Sequence, residues 1–165
     1  MSARKSAFAP VVDANTRLLI LGSLPGDISL AEGRYYANPR NRFWHLVGEV
    51  IERPDLPDIS YEGRLELLLR HGVGLWDAVA SATREGSLDS SIKAVEAAPL
   101  GELLSTLPHL HAVVFNGKTS ARIARAQLAA GKLTLIDLPS NSPAHAAMSF
   151  AEKRQIRLGM RQFLT

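Results

Sequence analysis

The chain has 165 residues, of which 46% are hydrophobic and 21% charged, with a net charge of +3 and no cysteine. A chain of that length can bury one sizeable core, so a single domain over residues 1–165 is expected. The missing cysteines exclude a disulfide, a thiolate zinc site, a cysteine nucleophile and a Cys-ligated iron–sulfur cluster, and the modest positive charge suits a polyanionic partner without requiring one.

At the start of the chain, MSARKSAFAP is basic but has no apolar h-region, so no secretory signal is expected there. No apolar stretch reaches the roughly 18 residues a membrane span needs, which leaves the cytoplasm as the expected compartment and no membrane partner. RLLILGS (17–23) is a nearly continuous apolar run ending at Gly-Ser, as in a parallel strand covered on both faces. From Asn41 the period changes: Phe43, Leu46, Val47, Val50 and Ile51 recur at helical spacing, and Arg53-Pro54 closes that helix. Tyr61, Leu65, Leu68 and Leu69 line a second helix, ended by Gly72. Val73 to Trp76 form a short strand, followed by a polar segment, ASATREGSLDSS.

Pro99 opens a helix carrying Leu100, Leu103, Leu104 and Leu107. HAVVFNG (111–117) reads as a strand, TSARIARAQLAA as a helix and LTLIDLP (133–139) as another strand. Phe150, Ile156, Met160, Phe163 and Leu164 predict a closing helix that starts around Ser149. Strands alternate with helices, so the fold class is α/β with a central, mostly parallel sheet of about four strands. Ligands of such sheets sit beyond the carboxyl ends of the strands. Here those ends carry Ser23-Leu24-Pro25-Gly26, Trp76-Asp77, Asn116-Gly117 and Pro139-Ser140-Asn141-Ser142-Pro143, which places the site on that edge.

The usual signatures are missing. There is no G-x-G-x-x-G after the first strand, no G-x-x-x-x-G-K-[ST] and no G-x-S-x-G elbow, since the serine of GSLPG stands one place too early. None of His45, His71, His109, His111 and His145 belongs to an H-E-x-x-H pair, so neither a metal nor a cofactor is expected. Pro25-Gly26 makes a tight turn that either aims backbone N–H groups into the cleft or simply joins strand to loop. Tyr35 and Tyr36 side by side offer a platform for a flat ring, or else cover the first helix. Asn41 stands where a helix begins, so it either caps that helix or orients a water or substrate carbonyl. Trp44 fills the position a capping box would give to Glu or Gln. LPSNSPAHAAMSF is a stiff loop of small residues able to approach a phosphate backbone closely, with His145 near its tip. Lys153, Arg154, Arg157 and Arg161 give the last helix a basic side, a solvated face at Arg161 at least.

GSLPG, YYANPRNRFW, LWDAVASATREGSLDSSI, VVFNG and LPSNSPAHA, in that order and over nearly the whole chain, resemble the uracil-DNA glycosylase superfamily, in particular its hypoxanthine (deoxyinosine) branch. The resemblance implies a three-layer α/β/α sandwich acting on double-stranded DNA, without partner subunits. It would flip a deaminated nucleotide into a pocket and cleave its N-glycosidic bond. It places Tyr36 under the flipped base, Asn41 in catalysis, and Leu24, Pro25, Gly26, Trp44, Asp77 and Asn116 around the base. Ser140, Asn141, Ser142, Pro143 and His145 would enter the minor groove. Uracil-specific branches carry an Asp or Asn in the first motif to activate water. Here the motif holds only Ser23 and Leu24, with Asp27 nearby, so Ser23 joins Asn41 as the catalytic candidate.

Hypoxanthine pairs poorly opposite thymine, which lowers the few kcal/mol that flipping costs. Backbone N–H groups near Leu24–Gly26 would stabilise charge on the departing base, and Asn41 would position water at the sugar carbon. No lysine falls in these pocket segments to form a Schiff base, so the expected product is an abasic site. Three rivals remain open at this stage: a mismatch-type uracil or xanthine glycosylase, a lesion-binding module without catalysis, and an α/β enzyme of small nucleotides.

Overall fold

The computed structural model of the chain describes residues 4–86, 91–128, 133–138 and 150–164. Strand β1 (Arg4–Ser6) is followed by β2 (Leu18–Gly22) and the helices α1 (Asp27–Glu32), α2 (Phe43–Val50) and α3 (Tyr61–Arg70). Three strands come next, β3 (Val73–Asp77), β4 (Val79–Thr83) and β5 (Lys93–Ala97). The chain then forms α4 (Leu100–Leu104), β6 (Ala112–Asn116), α5 (Lys118–Arg125), β7 (Thr134–Leu138) and α6 (Phe150–Leu158), which runs into a 3-10 turn at Gly159–Phe163.

The expected parallel sheet is present, with strand order β3-β2-β6-β7. Its register is flush: Leu18 faces Val73 and Ala112, and Ala112 faces Thr134. All five residues of β2 and of β6 are buried, as parallel strands covered on both faces should be. Side chains alternate between two cores. Leu18, Ile20, Val73, Leu75, Ala112 and Val114 pack toward α2, α3 and Met160 beyond α6. Leu19, Leu21, Val113 and Phe115 pack toward Leu100 of α4, Ile123 and Ala124 of α5, and β4. Each fully buried leucine contributes about 1.5–3 kcal/mol.

One expectation fails here. Within ASATREGSLDSS, read as a polar connection, β4 pairs antiparallel with both β1 and β5 and builds a second, three-stranded sheet. Its small residues hide the alternation: Val79 and Ala82 are buried against the second core while Ser81 and Thr83 keep hydroxyls at the edge. The loop after β2 also holds a helix, α1, too short to register a 3.6-residue period. The helix after Pro99 is shorter than its leucine spacing implies, ending at Leu104 with Leu107 buried beyond it.

The basic side of the last helix is also corrected. Arg154 reaches Glu49 at 3.0 Å, and Arg161 donates to the carbonyls of Val50 (3.1 Å) and Glu49. These bonds satisfy acceptors at the carboxyl end of α2 that the helix cannot satisfy itself. Arg161 is therefore a clamp between the last segment and α2 as well as a partly solvated residue. Lys153 and Arg157 are buried.

Candidate active site

Because the register is flush, Gly22, Asp77 and Asn116 end three adjacent strands on one face, the side of α2, α3 and α6. Asp77 is 4% exposed and Asn116 7%. Gly22 leaves them room. A Cβ there would lie 2.6 Å from Asp77 Oδ1 and 3.2 Å from the Tyr36 hydroxyl, so the close approach of those groups requires glycine.

The two tyrosines separate as soon as the backbone is laid down. Tyr35 is buried: its hydroxyl donates to the Ala9 carbonyl (3.1 Å) and its N–H to the Tyr61 hydroxyl (2.9 Å). Burial pushes its phenol far above the ordinary range, and the Asp77 carboxylate adds to that, so it stays neutral. Tyr36 adopts a left-handed backbone (φ 53°), a conformation costing a bulky residue about 1–3 kcal/mol. Its ring, carbonyl and hydroxyl all make contacts that hold it there. Its ring stacks on Phe43 (centroids 3.6 Å, planes 13° apart), its carbonyl accepts from Trp44 Nε1 (3.2 Å), and its hydroxyl accepts from Asn116 Nδ2 (3.4 Å). Asn116 Oδ1 in turn accepts from Arg157 Nη2 at 2.8 Å. Arg157 is 2% exposed, and burial lowers its guanidinium to about 10.

GSLPG is held from behind. Arg84, buried at 2% exposure, donates to the carbonyls of Leu24 (3.3 Å) and Pro25, and its Nε to Gly86 (3.0 Å). The Leu24 side chain packs into the core on the α4 and α5 side, so only its backbone serves the cleft edge. Pro25 has no N–H, which leaves Leu24 and Gly26 as the donors this turn can offer. Ser23 is buried, and its carbonyl accepts from Val79 at 3.1 Å, tying the loop to β4. Asp27 is ion-paired with Lys5 at 2.6 Å.

Asn41 does not cap α2 in the expected way. The helix starts at Phe43 with Arg42 at the cap position, and Asn41 Oδ1 accepts from the Phe43 N–H at 2.9 Å. Asn41 also borders a cavity of about 270 Å³, shared with Arg34, Tyr36, Asn38, His45 and Tyr61. Its side-chain oxygen thus shapes the turn while the residue also borders the cavity, so the two readings are compatible. Trp44 is buried, and it holds Tyr36 from the side rather than lying in its plane (rings 87° apart).

The structure therefore brings Asp77, Asn116 and Tyr36 together and sets Leu24, Pro25 and Gly26 beside them on the same edge. Ser140, Asn141, Ser142, Pro143 and His145 lie outside the described residues. Three participants escaped the sequence reading: Phe43 under Tyr36, Arg84 behind the loop, and Arg157 behind Asn116. Phe43 shows only as a core position of the helix, and an arginine in a polar or basic run gives no sign that it is buried. Among the described residues no group of three or more His, Cys, Asp or Glu could hold a metal ion.

A family model described as the uracil DNA glycosylase superfamily matches residues 9–159. The chain is 44% identical over 138 residues to a hypoxanthine DNA glycosylase of Methanosarcina barkeri, covering 84% of this chain and 87% of that protein. A hypoxanthine DNA glycosylase of Methanosarcina acetivorans is 40% identical over 145 residues, 88% of this chain and 90% of the other. The solution NMR structure of a Methanosarcina acetivorans protein assigned to the uracil DNA glycosylases superposes with a TM-score of 0.83 at 35% identity, over 98% of this chain and 99% of that one. The parallel sheet, the site at its carboxyl edge and these matches agree: the chain belongs to the uracil DNA glycosylase superfamily.

Proposed function

We propose that the chain is a DNA glycosylase that releases hypoxanthine from deoxyinosine in double-stranded DNA and leaves an abasic site, working as a monomer. The observation that carries this is the pairing of Tyr36 with Asn116: a phenol hydroxyl meeting an amide held by Arg157, at the edge where such sheets bind ligands. Two relatives at 40% and 44% identity bear the same activity in their names.

An extruded base stacks on Tyr36, which contributes about 1–3 kcal/mol. The C1′–N9 bond then breaks with its electron pair leaving on the base. Donors already in place at Leu24 and Gly26 stabilise that charge without reorganising. Asn41 positions the water whose oxygen bonds to C1′, one water proton passes to solvent, and the base is protonated as it departs. Burial of Asp77 beside Gly22 keeps one polar edge of the pocket rigid.

The test is base release from a duplex carrying one deoxyinosine opposite thymine, read as strand cleavage after alkali, with a deoxyuridine duplex in parallel. Cleavage mainly at inosine supports the reading. Cleavage mainly at uracil replaces hypoxanthine by uracil as the substrate, and tight binding without cleavage at either overturns the enzyme.

A further inference from the structure

The cavity bordered by Tyr36 and Asn41 lies at the carboxyl edge of the sheet, and two lengths explain why. α3 has ten residues and runs through His71-Gly72 into β3, which has five. At about 1.5 Å per helical residue and about 3.3 Å per strand residue the two are nearly equally long. The first turn of α3, with Tyr61 and Arg64, is therefore carried back to the edge where β3 ends, and there Tyr61 accepts from the Tyr35 N–H at 2.9 Å. We infer that this cavity of about 270 Å³ is a phosphate subsite that takes one backbone phosphodiester of the DNA strand crossing that edge. The inference rests on the glycosylase reading above and adds a contact to it.

The polar groups on the cavity wall suit an anion. Asn38 Oδ1 accepts from the Arg40 N–H (3.0 Å) and Asn41 Oδ1 from the Phe43 N–H (2.9 Å). With its oxygen turned to a backbone N–H, each amide has its NH2 hydrogens to offer a further partner. The Tyr61 hydroxyl accepts from Tyr35 and so has its own proton to give. Arg34 and Arg64 bring donors only, and two full charges. Against them the wall sets the exposed Glu32 carboxylate and the exposed imidazole of His45.

Both guanidiniums are placed before any ligand arrives. Arg34 lies over the Tyr61 ring (5.6 Å to its centroid) and Arg64 over the Trp44 ring (5.3 Å). Arg64 also donates from Nε to the Ile59 carbonyl (2.9 Å) and from Nη2 to the Pro57 carbonyl (2.7 Å). Cations stacked and tethered in this way lose less freedom on closing around a phosphate. Tyr36 and Asn41, which serve the base and the water in the reading above, border the same cavity. A base stacked on Tyr36 thus delivers the phosphates of its own strand at high local concentration, which a free phosphate lacks.

The test measures binding of wild type, Arg34→Gln and Arg34→Lys to an undamaged duplex and to one carrying deoxyinosine, by fluorescence anisotropy over a range of salt, with melting temperatures alongside. Arg34→Gln should bind several-fold more weakly, and its plot of log affinity against log salt should be shallower by about one unit, the share of one phosphate contact. Arg34→Lys keeps the charge and should keep most of the slope. Duplexes with one phosphate at a time replaced by a neutral methylphosphonate then locate the contact. Wild type should weaken at one position beside the inosine, and Arg34→Gln should weaken no further there. An unchanged salt slope in Arg34→Gln overturns the inference, as does a methylphosphonate loss that adds in full to that of Arg34→Gln at every position. A wild type indifferent to a methylphosphonate at each position flanking the inosine overturns it without any variant. Inorganic phosphate that raises the wild-type melting temperature, with no methylphosphonate position coupled to Arg34, gives the cavity to a free anion and likewise overturns it. Base release from the inosine duplex is scored separately: its absence sinks the functional reading, while the salt slope on undamaged DNA still judges the subsite.

Discussion

Phe115 and Asn116 are neighbours on β6, and the sheet sends them to opposite faces. Phe115 ends a row of apolar side chains packed against α5, with no exposure. Asn116 ends a row that gives way to polar groups: Asp77, the Tyr36 hydroxyl and Arg157. The same holds at β2, where Leu21 is core and Gly22 is the gap that lets Asp77 and Tyr36 approach. A period of two means that one step along a strand crosses from holding the fold to meeting a ligand. The polar groups at the strand ends are gathered on one face, while on the other Arg84 and the second sheet support the loop.

That contrast can be broken by the pair of variants Phe115→Ala and Asn116→Ala. Phe115→Ala should lose about 3–5 kcal/mol in urea unfolding, yet keep wild-type base release per folded molecule at low temperature. Asn116→Ala should lose about 1–3 kcal/mol, because a buried guanidinium forfeits its acceptor, and should lose base release almost entirely. Equal loss of release in both would erase the distinction between the faces.

Asn41→Ala sharpens it within the reactive face. Single-turnover release should fall by about 100-fold or more if Asn41 positions water. The melting temperature should drop by only about 2–4 °C, the effect of one turn hydrogen bond worth about 1 kcal/mol. A drop in melting temperature with release intact would leave Asn41 a purely structural residue.

Arg84→Met probes the supporting side. Freeing the Leu24 and Pro25 carbonyls from a buried partner should cost about 1–3 kcal/mol by thermal melting. It should also slow release several-fold, about 3- to 10-fold, because the turn that offers N–H groups is no longer braced.

The smallest effect concerns His45. Partial burial and then Arg42 hold its imidazole below the ordinary 6.5, with Arg64 adding and Asp58 opposing. The unfolded chain therefore takes up the proton first, and stability declines as pH falls through 6.5 until the folded imidazole is protonated as well. His45→Gln should make the fall in melting temperature between about pH 7.5 and pH 5 slightly shallower. A steeper fall would reverse the sign.

Much of this was legible beforehand. Continuous apolar runs such as LLILG and AVVFN announce strands buried on both faces, and the polar ends of β3 and β6, Asp77 and Asn116, stand where a parallel sheet keeps its ligand. The second sheet was not legible, because the Ala, Ser and Thr of β4 contrast too weakly to show a period of two. The arginines were misjudged for a different reason. Arg84, Arg157 and Arg161 each find carbonyl or amide acceptors supplied by distant segments, and a charge in a sequence reads as surface until such partners are known. The left-handed turn at Tyr36 was equally hidden, since contacts from the later Phe43, Trp44 and Asn116 help to hold it.

The guanidinium behind Asn116 belongs to the last helix of the chain, whereas the loop it serves follows β2 near the beginning. During synthesis the loop, the tyrosine and the amide all leave the ribosome before that helix exists. A polypeptide that stops short of that helix carries Tyr36 and Asn116 but not the guanidinium that donates to the amide. The order of the segments means that the Asn116–Tyr36 contact gains its buried guanidinium support only after segments far apart in the sequence have met.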